Sequence, residues 1–235
     1  MKYKPDSMES RMRNMLYQWV IGDVTEYCYS SCLDYFHEKA VILDVGIGNG
    51  LMVKDHYREI KKKQLKIVGL DIDRTYLRHC RALVDNYDLA DQIQVIEKPV
   101  EDFKPNGHGS FDFILFSMSF MLLDNQERVL RRVSKWLKPG GKILFFQTMF
   151  KSRNKLLEEI KPRLKHLTTI EFGEVTYDQD FYDLLERLNF RIEMDKRIKK
   201  TWYKGTYRLI AARPNSNGSG TDFFRSNPEN HFSPV

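Results

Sequence analysis

The feature that most constrains this chain is a short apolar run that ends in a glycine loop. Val41-Ile42-Leu43-Asp44-Val45 is followed at once by Gly46-Ile47-Gly48-Asn49-Gly50. A continuous β-branched run bounded in this way is the pattern of a strand buried on both faces, as in parallel sheets. Leu51 to Lys63 then reads as a helix, so the glycines occupy a strand-to-helix turn where backbone can pass close to a ligand. A second strand, Lys66–Asp71, ends in an acid twenty-one residues after Gly50. A carboxylate there can accept hydrogen bonds from both hydroxyls of a ribose. Loop and acid together fit a nicotinamide dehydrogenase as well as other nucleoside-binding enzymes.

The alternation continues. Asp73 can cap a helix through Val84, and Gln92–Glu97 and Phe111–Phe116 read as strands three and four. Asp124 to Leu137 is helical by period, with Val129, Leu130, Val133, Trp136 and Leu137 on its inner face. Lys138-Pro139-Gly140-Gly141 is expected to stop that helix sharply, and Lys142–Gln147 makes a fifth strand. Strands alternating with helices imply parallel pairing through right-handed crossovers. A basic helix after Met149, a connector at Thr168–Gly173 and a helix from Asp178 to Leu188 follow. Arg191–Ile198 and Tyr207–Ala212 close the unit as two strands expected to be antiparallel.

Upstream, Met8, Met12, Met15, Leu16, Trp19 and Val20 form one helical stripe. Val24, Tyr27, Cys28, Ser31, Cys32, Tyr35 and Phe36 form a second. The expected division is an N-terminal helical lid over residues 1–38, a catalytic domain over 39–213 and a flexible tail over 214–235. The tail opens on Asn215-Ser216-Asn217-Gly218-Ser219-Gly220, a linker-like composition.

Four segments, in order, carry a family resemblance. Val41–Gly50 with Val68-Gly69-Leu70-Asp71-Ile72-Asp73 resembles the first two motifs of the class I S-adenosylmethionine-dependent methyltransferases. Phe111-Asp112-Phe113-Ile114-Leu115-Phe116-Ser117 resembles their fourth strand. Val129 to Gly141 resembles the helix and turn before their fifth. The resemblance spans roughly residues 38–212. It implies an α/β Rossmann-like fold, a seven-stranded, mostly parallel sheet with helices on both faces, and S-adenosylmethionine as cofactor. Asp44 would order the loop and face the methionine end, with Gly46, Gly48 and Gly50 making room. Asp71 would bind the ribose, Ile72 would pack on the adenine, and Ser117 would lie near the methionine moiety and the substrate mouth.

Two departures from the family pattern stand out. Pro99 falls where many members carry an acid for the adenine amino group, leaving the Val100 amide as the expected contact. Phe120-Met121-Leu122-Leu123 replaces a histidine common after the fourth strand, so no general base is evident. Transfer from a sulfonium needs a base only when the nucleophile arrives protonated. The expected acceptor is therefore a small-molecule N or O nucleophile, attacked in line, with Tyr17, Trp19, Tyr27, Gln147 and Tyr203 as candidate contacts. A protein or peptide acceptor is the alternative, and RNA a further one.

Charge bears on that choice. Lys151–Lys165 carries six basic and two acidic residues, and Arg191–Arg208 seven and two. Such stretches suit an anionic partner or are ordinary solvated faces. Three cysteines, Cys28, Cys32 and Cys80, make neither a disulfide framework nor a metal site. No apolar run reaches the ~20 residues of a membrane span. A cytoplasmic enzyme without metal is the expectation.

Overall fold

The computed structural model describes residues 28–105, 109–150, 177–201 and 205–215. Residues 28–35 form a helix, α1, ahead of strand β1 (Val41–Val45). Then come α2 (Leu51–Lys62), β2 (Lys66–Asp71), α3 (Arg74–Asn86) and β3 (Ile93–Glu97). The second half has β4 (Phe111–Ser117), α4 (Gln126–Val133), β5 (Leu137–Met149), α5 (Asp178–Arg187), β6 (Phe190–Thr201) and β7 (Gly205–Pro214).

The seven strands form one sheet in the order β3-β2-β1-β4-β5-β7-β6. The first five are parallel, and β7 pairs antiparallel with both β5 and β6. The order reverses between β1 and β4, and ligands of open α/β sheets bind beyond the carboxyl ends of the strands at such a point. The glycine loop leaves β1 there.

Each face of the sheet carries its own apolar layer. Ile42, Ile67, Leu115, Leu144 and Phe146 pack with Cys28, Cys32 and Leu33 of α1, with Phe36 just after it, and with α2 and α3. Leu43, Val45, Ile114, Phe116 and Phe145 pack with Val129 and Leu130 of α4 and Phe181 and Leu184 of α5. Two-sided burial is why these strands read as continuous apolar runs rather than alternating ones. The described end of the expected N-terminal lid is thus part of the core, its Phe36 ring 4.9 Å from Phe113. Residues 1–27 lie outside the described residues, as do the basic helix, the connector and the chain beyond residue 215.

Two expectations need correction. The helix before β5 starts at Gln126, with the Asn125 side chain accepting from the Arg128 amide as its cap. It ends at Val133 and tightens into a 3-10 turn at Ser134–Trp136. Lys138–Gly141 is not a break before β5 but a wide bulge within it. Phe111 pairs with Leu137 and Phe113 with Lys142, so two steps along β4 meet five along β5. Gly140, at φ 79°, makes the loop-out. Lys138 Nζ and the Val41 amide both lie 2.7 Å from Asp112 Oδ2. The acid of the fourth-strand motif therefore ties strands together at the edge of the sheet opposite the loop.

Candidate cofactor site

The site is built at the exits of β1, β2 and β4. The Gly46 and Ile47 amides both reach the Leu70 carbonyl, at 2.8 and 3.0 Å, which anchors the loop on β2. Ile47 can lie flat because residue 69 is glycine. A Cβ on Gly69 would sit 2.3 Å from Ile47 Cδ1 and 3.0 Å from its Cβ. Gly46, at φ 86°, passes so close to the β4 exit that a Cβ would come within 2.6 Å of Ser119 Cβ. Gly48 faces the other way, where a Cβ would meet nothing within 4 Å. Space for a ligand lies on that side.

Asp71, at the end of β2, holds its own surroundings in place. Its Oδ2 accepts from the Gly48 amide at 2.8 Å, and its Oδ1 from the amides of Ile72 and Asp73 at 2.8 and 2.9 Å. One carboxylate therefore fixes the loop and the strand exit together and retains acceptor capacity for a hydroxyl. Next to it Ile72 is 71% exposed, an isolated large apolar side chain at a strand end. Such a surface suits the face of a heteroaromatic base. Asp73 caps α3, accepting from Thr75 and Tyr76.

Asp44 is the opposite case. Its side chain is fully buried, and neither oxygen has a hydrogen-bond partner among the described residues. Desolvation, and secondarily the charge of Asp71, push its carboxyl up to about 7. A buried carboxylate left unpaired is costly, and a cationic ligand group at this place would remove the cost. That is the chemistry of an ammonium or sulfonium, so the donor set fits the methionine end of S-adenosylmethionine.

Tyr29, on α1, was not among the residues singled out from the sequence. It is buried in the same layer, with its hydroxyl beside Ser117. Burial and the charge of Asp44 both raise its pKa, so the phenol stays neutral. Ser117 is itself nearly buried at the exit of β4. Cys80 lies under the loop, its Sγ 3.0 Å from where a Gly50 Cβ would be. Burial pushes that thiol up to about 12, which leaves it a packing group rather than a nucleophile.

The structure brings Asp44, Gly46, Gly48, Gly50, Asp71, Ile72 and Ser117 to one edge of the sheet. Val100 is buried in the turn after β3, closed by the amides of Asp102 and Phe103 on the Pro99 carbonyl. Gln147 is fully buried near the end of β5, with both amide atoms unpartnered among the described residues. Its neighbours in the strand, Phe146 and Phe145, belong to opposite layers, and alternation places Gln147 with Phe145, across the sheet from Asp44. Tyr17, Trp19, Tyr27 and Tyr203 lie outside the described residues.

A sheet that reverses beside a glycine loop, with an acid at the end of its second strand, defines a nucleoside-cofactor domain. Residues 42–141 match the family model of the methyltransferase domain. A ubiquinone/menaquinone biosynthesis C-methyltransferase of Wigglesworthia glossinidia brevipalpis is 30% identical over 145 residues, 62% of this chain and 55% of that protein. A carboxy-S-adenosyl-L-methionine synthase of Desulfotalea psychrophila is 23% identical over 122 residues, 52% of this chain and 49% of that protein. The chain thus spans about half the length of these curated relatives. Among solved structures, the geranyl diphosphate C-methyltransferase of Streptomyces coelicolor superposes with a TM-score of 0.66 at 11% identity, covering 90% of this chain and 86% of that one. A methyltransferase from Aquifex aeolicus gives 0.61 at 16% identity, covering 90% and 99%. Residues 42–141 are a methyltransferase domain, and this match, the relatives and the fold together support a class I S-adenosylmethionine-dependent methyltransferase. No helix among the described residues is long and apolar enough to cross a membrane.

Proposed function

We propose that this protein transfers a methyl group from S-adenosylmethionine to an N or O nucleophile of a small molecule by in-line displacement. The observation that carries the reading is Asp44, fully buried and without a partner among the described residues, beside a loop whose open side faces Gly48. In this reading Asp71 accepts from the ribose hydroxyls and Ile72 packs on the adenine, with the Val100 amide beside it. Ser117 and Asp44 flank the methionine end. The proposed catalytic unit runs from α1 through β7, residues 28–215, with residues 1–27 contributing a lid and 216–235 a dispensable tail. Tyr17, Trp19, Tyr27 and Tyr203 are proposed acceptor contacts, and a cytoplasmic setting goes with this role.

The bound cofactor supplies an electrophilic methyl on a sulfonium. What the chain contributes is alignment and exclusion of water, since holding nucleophile, methyl carbon and sulfur in line removes most of the entropic barrier. An unprotonated amine or an ionised oxygen needs no further group. A small acceptor is supported by the relatives, named a ubiquinone/menaquinone biosynthesis C-methyltransferase and a carboxy-S-adenosyl-L-methionine synthase.

The test is incubation of the full chain with methyl-labelled cofactor and pooled metabolites, peptides or RNA. Label entering the metabolite pool, with a rate that changes little between low and high salt, is the expected result. Label in RNA with a steep loss on adding salt, or label only in peptide, would replace the small-molecule assignment.

A further inference from the structure

Among the described residues, five non-glycine residues adopt a left-handed backbone: Lys39, Gln64, Asp88, Met118 and Asn189. Three of them come just after a helix: Gln64 follows α2, Asp88 follows α3 and Asn189 follows α5. There a positive φ is the ordinary way to end a helix. Lys39 lies in the surface turn that the Ala40 amide closes on the His37 carbonyl. Met118, at φ 58°, instead follows a strand, at the exit of β4 between Ser117 and Ser119. Left-handed backbone is unfavourable for a side chain of this size, and glycine would remove the strain.

The corner is held from both sides. The Met118 amide donates to the Phe146 carbonyl at 2.8 Å, and Ser119 Oγ donates to the Val45 carbonyl. Neither tie involves the Met118 side chain, so the fold would keep both with glycine in its place. The thioether is half-buried and packs against the layer that contains Tyr29 and Ile47. Its neighbour Ser119 abuts Gly46 of the loop. A strained residue at a ligand-binding edge, where a less strained one would serve the fold, points to a use for its side chain.

We propose that Met118 is a cofactor-binding residue whose thioether forms the apolar wall against the methionine end of the ligand. The inference rests on the reading of Asp44 and Ser117 as flanking that end. A flexible, polarisable thioether can follow the sulfur and its substituents closely, and a glycine there would leave that surface in water. Stability and ligand affinity should therefore respond in opposite directions at this one position.

The experiment compares the full-length chain with Met118→Gly, Met118→Ala and Met118→Leu, using S-adenosylhomocysteine and adenosine as probes in calorimetry. Met118→Gly is expected to melt at or a few degrees above the parent. It should bind S-adenosylhomocysteine about five- to tenfold more weakly, the loss expected for part of an apolar side chain. Adenosine, which lacks the methionine moiety, should keep its affinity within about twofold. Met118→Ala should show the same selective loss without the gain in melting temperature, and Met118→Leu should retain most of the affinity. Unchanged S-adenosylhomocysteine binding in Met118→Gly and Met118→Ala, or equal losses for both probes, would overturn the assignment. If the parent binds neither probe, the cofactor reading itself falls.

Discussion

Replacing Asp44 with asparagine should remove a pH response that the cofactor-free parent shows. The Asp44 carboxyl is raised from 3.8 to about 7, chiefly by burial. Because the folded pKa lies above the unfolded one, the folded state holds a proton that the unfolded state has lost. The stability from this group is fully present below pH 3.8 and is lost as pH rises through about 7. As pH falls from 8 to 5 the parent regains on the order of 3 kcal/mol. The asparagine side chain has no proton to gain. Melting temperature in cofactor-free buffer is the assay, and for a chain of this size that free energy corresponds to roughly 5–10 °C. The Asp44→Asn variant should gain on the parent by that amount at pH 8 relative to pH 5, while binding cofactor at least about tenfold more weakly for lack of the charge. Parallel melting curves for the two proteins across that range would refute an ionisable, unpaired Asp44. A companion measurement is calorimetry at pH 7 in buffers of different ionisation enthalpy. Cofactor binding should release about half a proton as Asp44 becomes ionised.

Asp71→Ala removes the ribose acceptor and also the partner of the Gly48 amide, so cofactor affinity should fall by about two orders of magnitude, read by calorimetry. An affinity within threefold of the parent would remove Asp71 from the site. Gly69→Ala forces a Cβ onto Ile47 and should cost about 1–3 kcal/mol in chemical denaturation. Ile47→Ala in the same chain should recover part of that loss, and a purely additive double variant would show that the two do not touch. Truncation after Asn215 should leave melting temperature and cofactor affinity unchanged, and a drop of more than a few degrees would show that the tail is docked.

The described elements show where local pattern suffices. The strands from β1 to β4 were legible because each is buried on both faces, and an apolar run bounded by turn residues has few other uses. The candidate cofactor residues were legible as a group because glycines and a strand-end acid form a pattern that local order alone can place. The bulge at Lys138–Gly141 was not, because Pro-Gly-Gly punctuation reads the same whether it ends a helix or loops out of a strand, and only pairing with Phe111 and Phe113 decides. Gln147 sat close to the site in sequence order, yet strand alternation sends it to the other face of the sheet.

The glycine loop and Asp71, which the sequence determines by itself, point to a nucleoside cofactor and to the edge of the sheet proposed to bind it. Tertiary structure alone brings Tyr29 from a helix that precedes the sheet to within reach of Ser117, eighty-eight positions later in the chain. It alone leaves Asp44 buried without a partner, because desolvation depends on what other elements cover a residue. It alone forces Met118 into a left-handed turn. Charge, strain and proximity across elements have no local signature, since each is set by atoms far away in the chain.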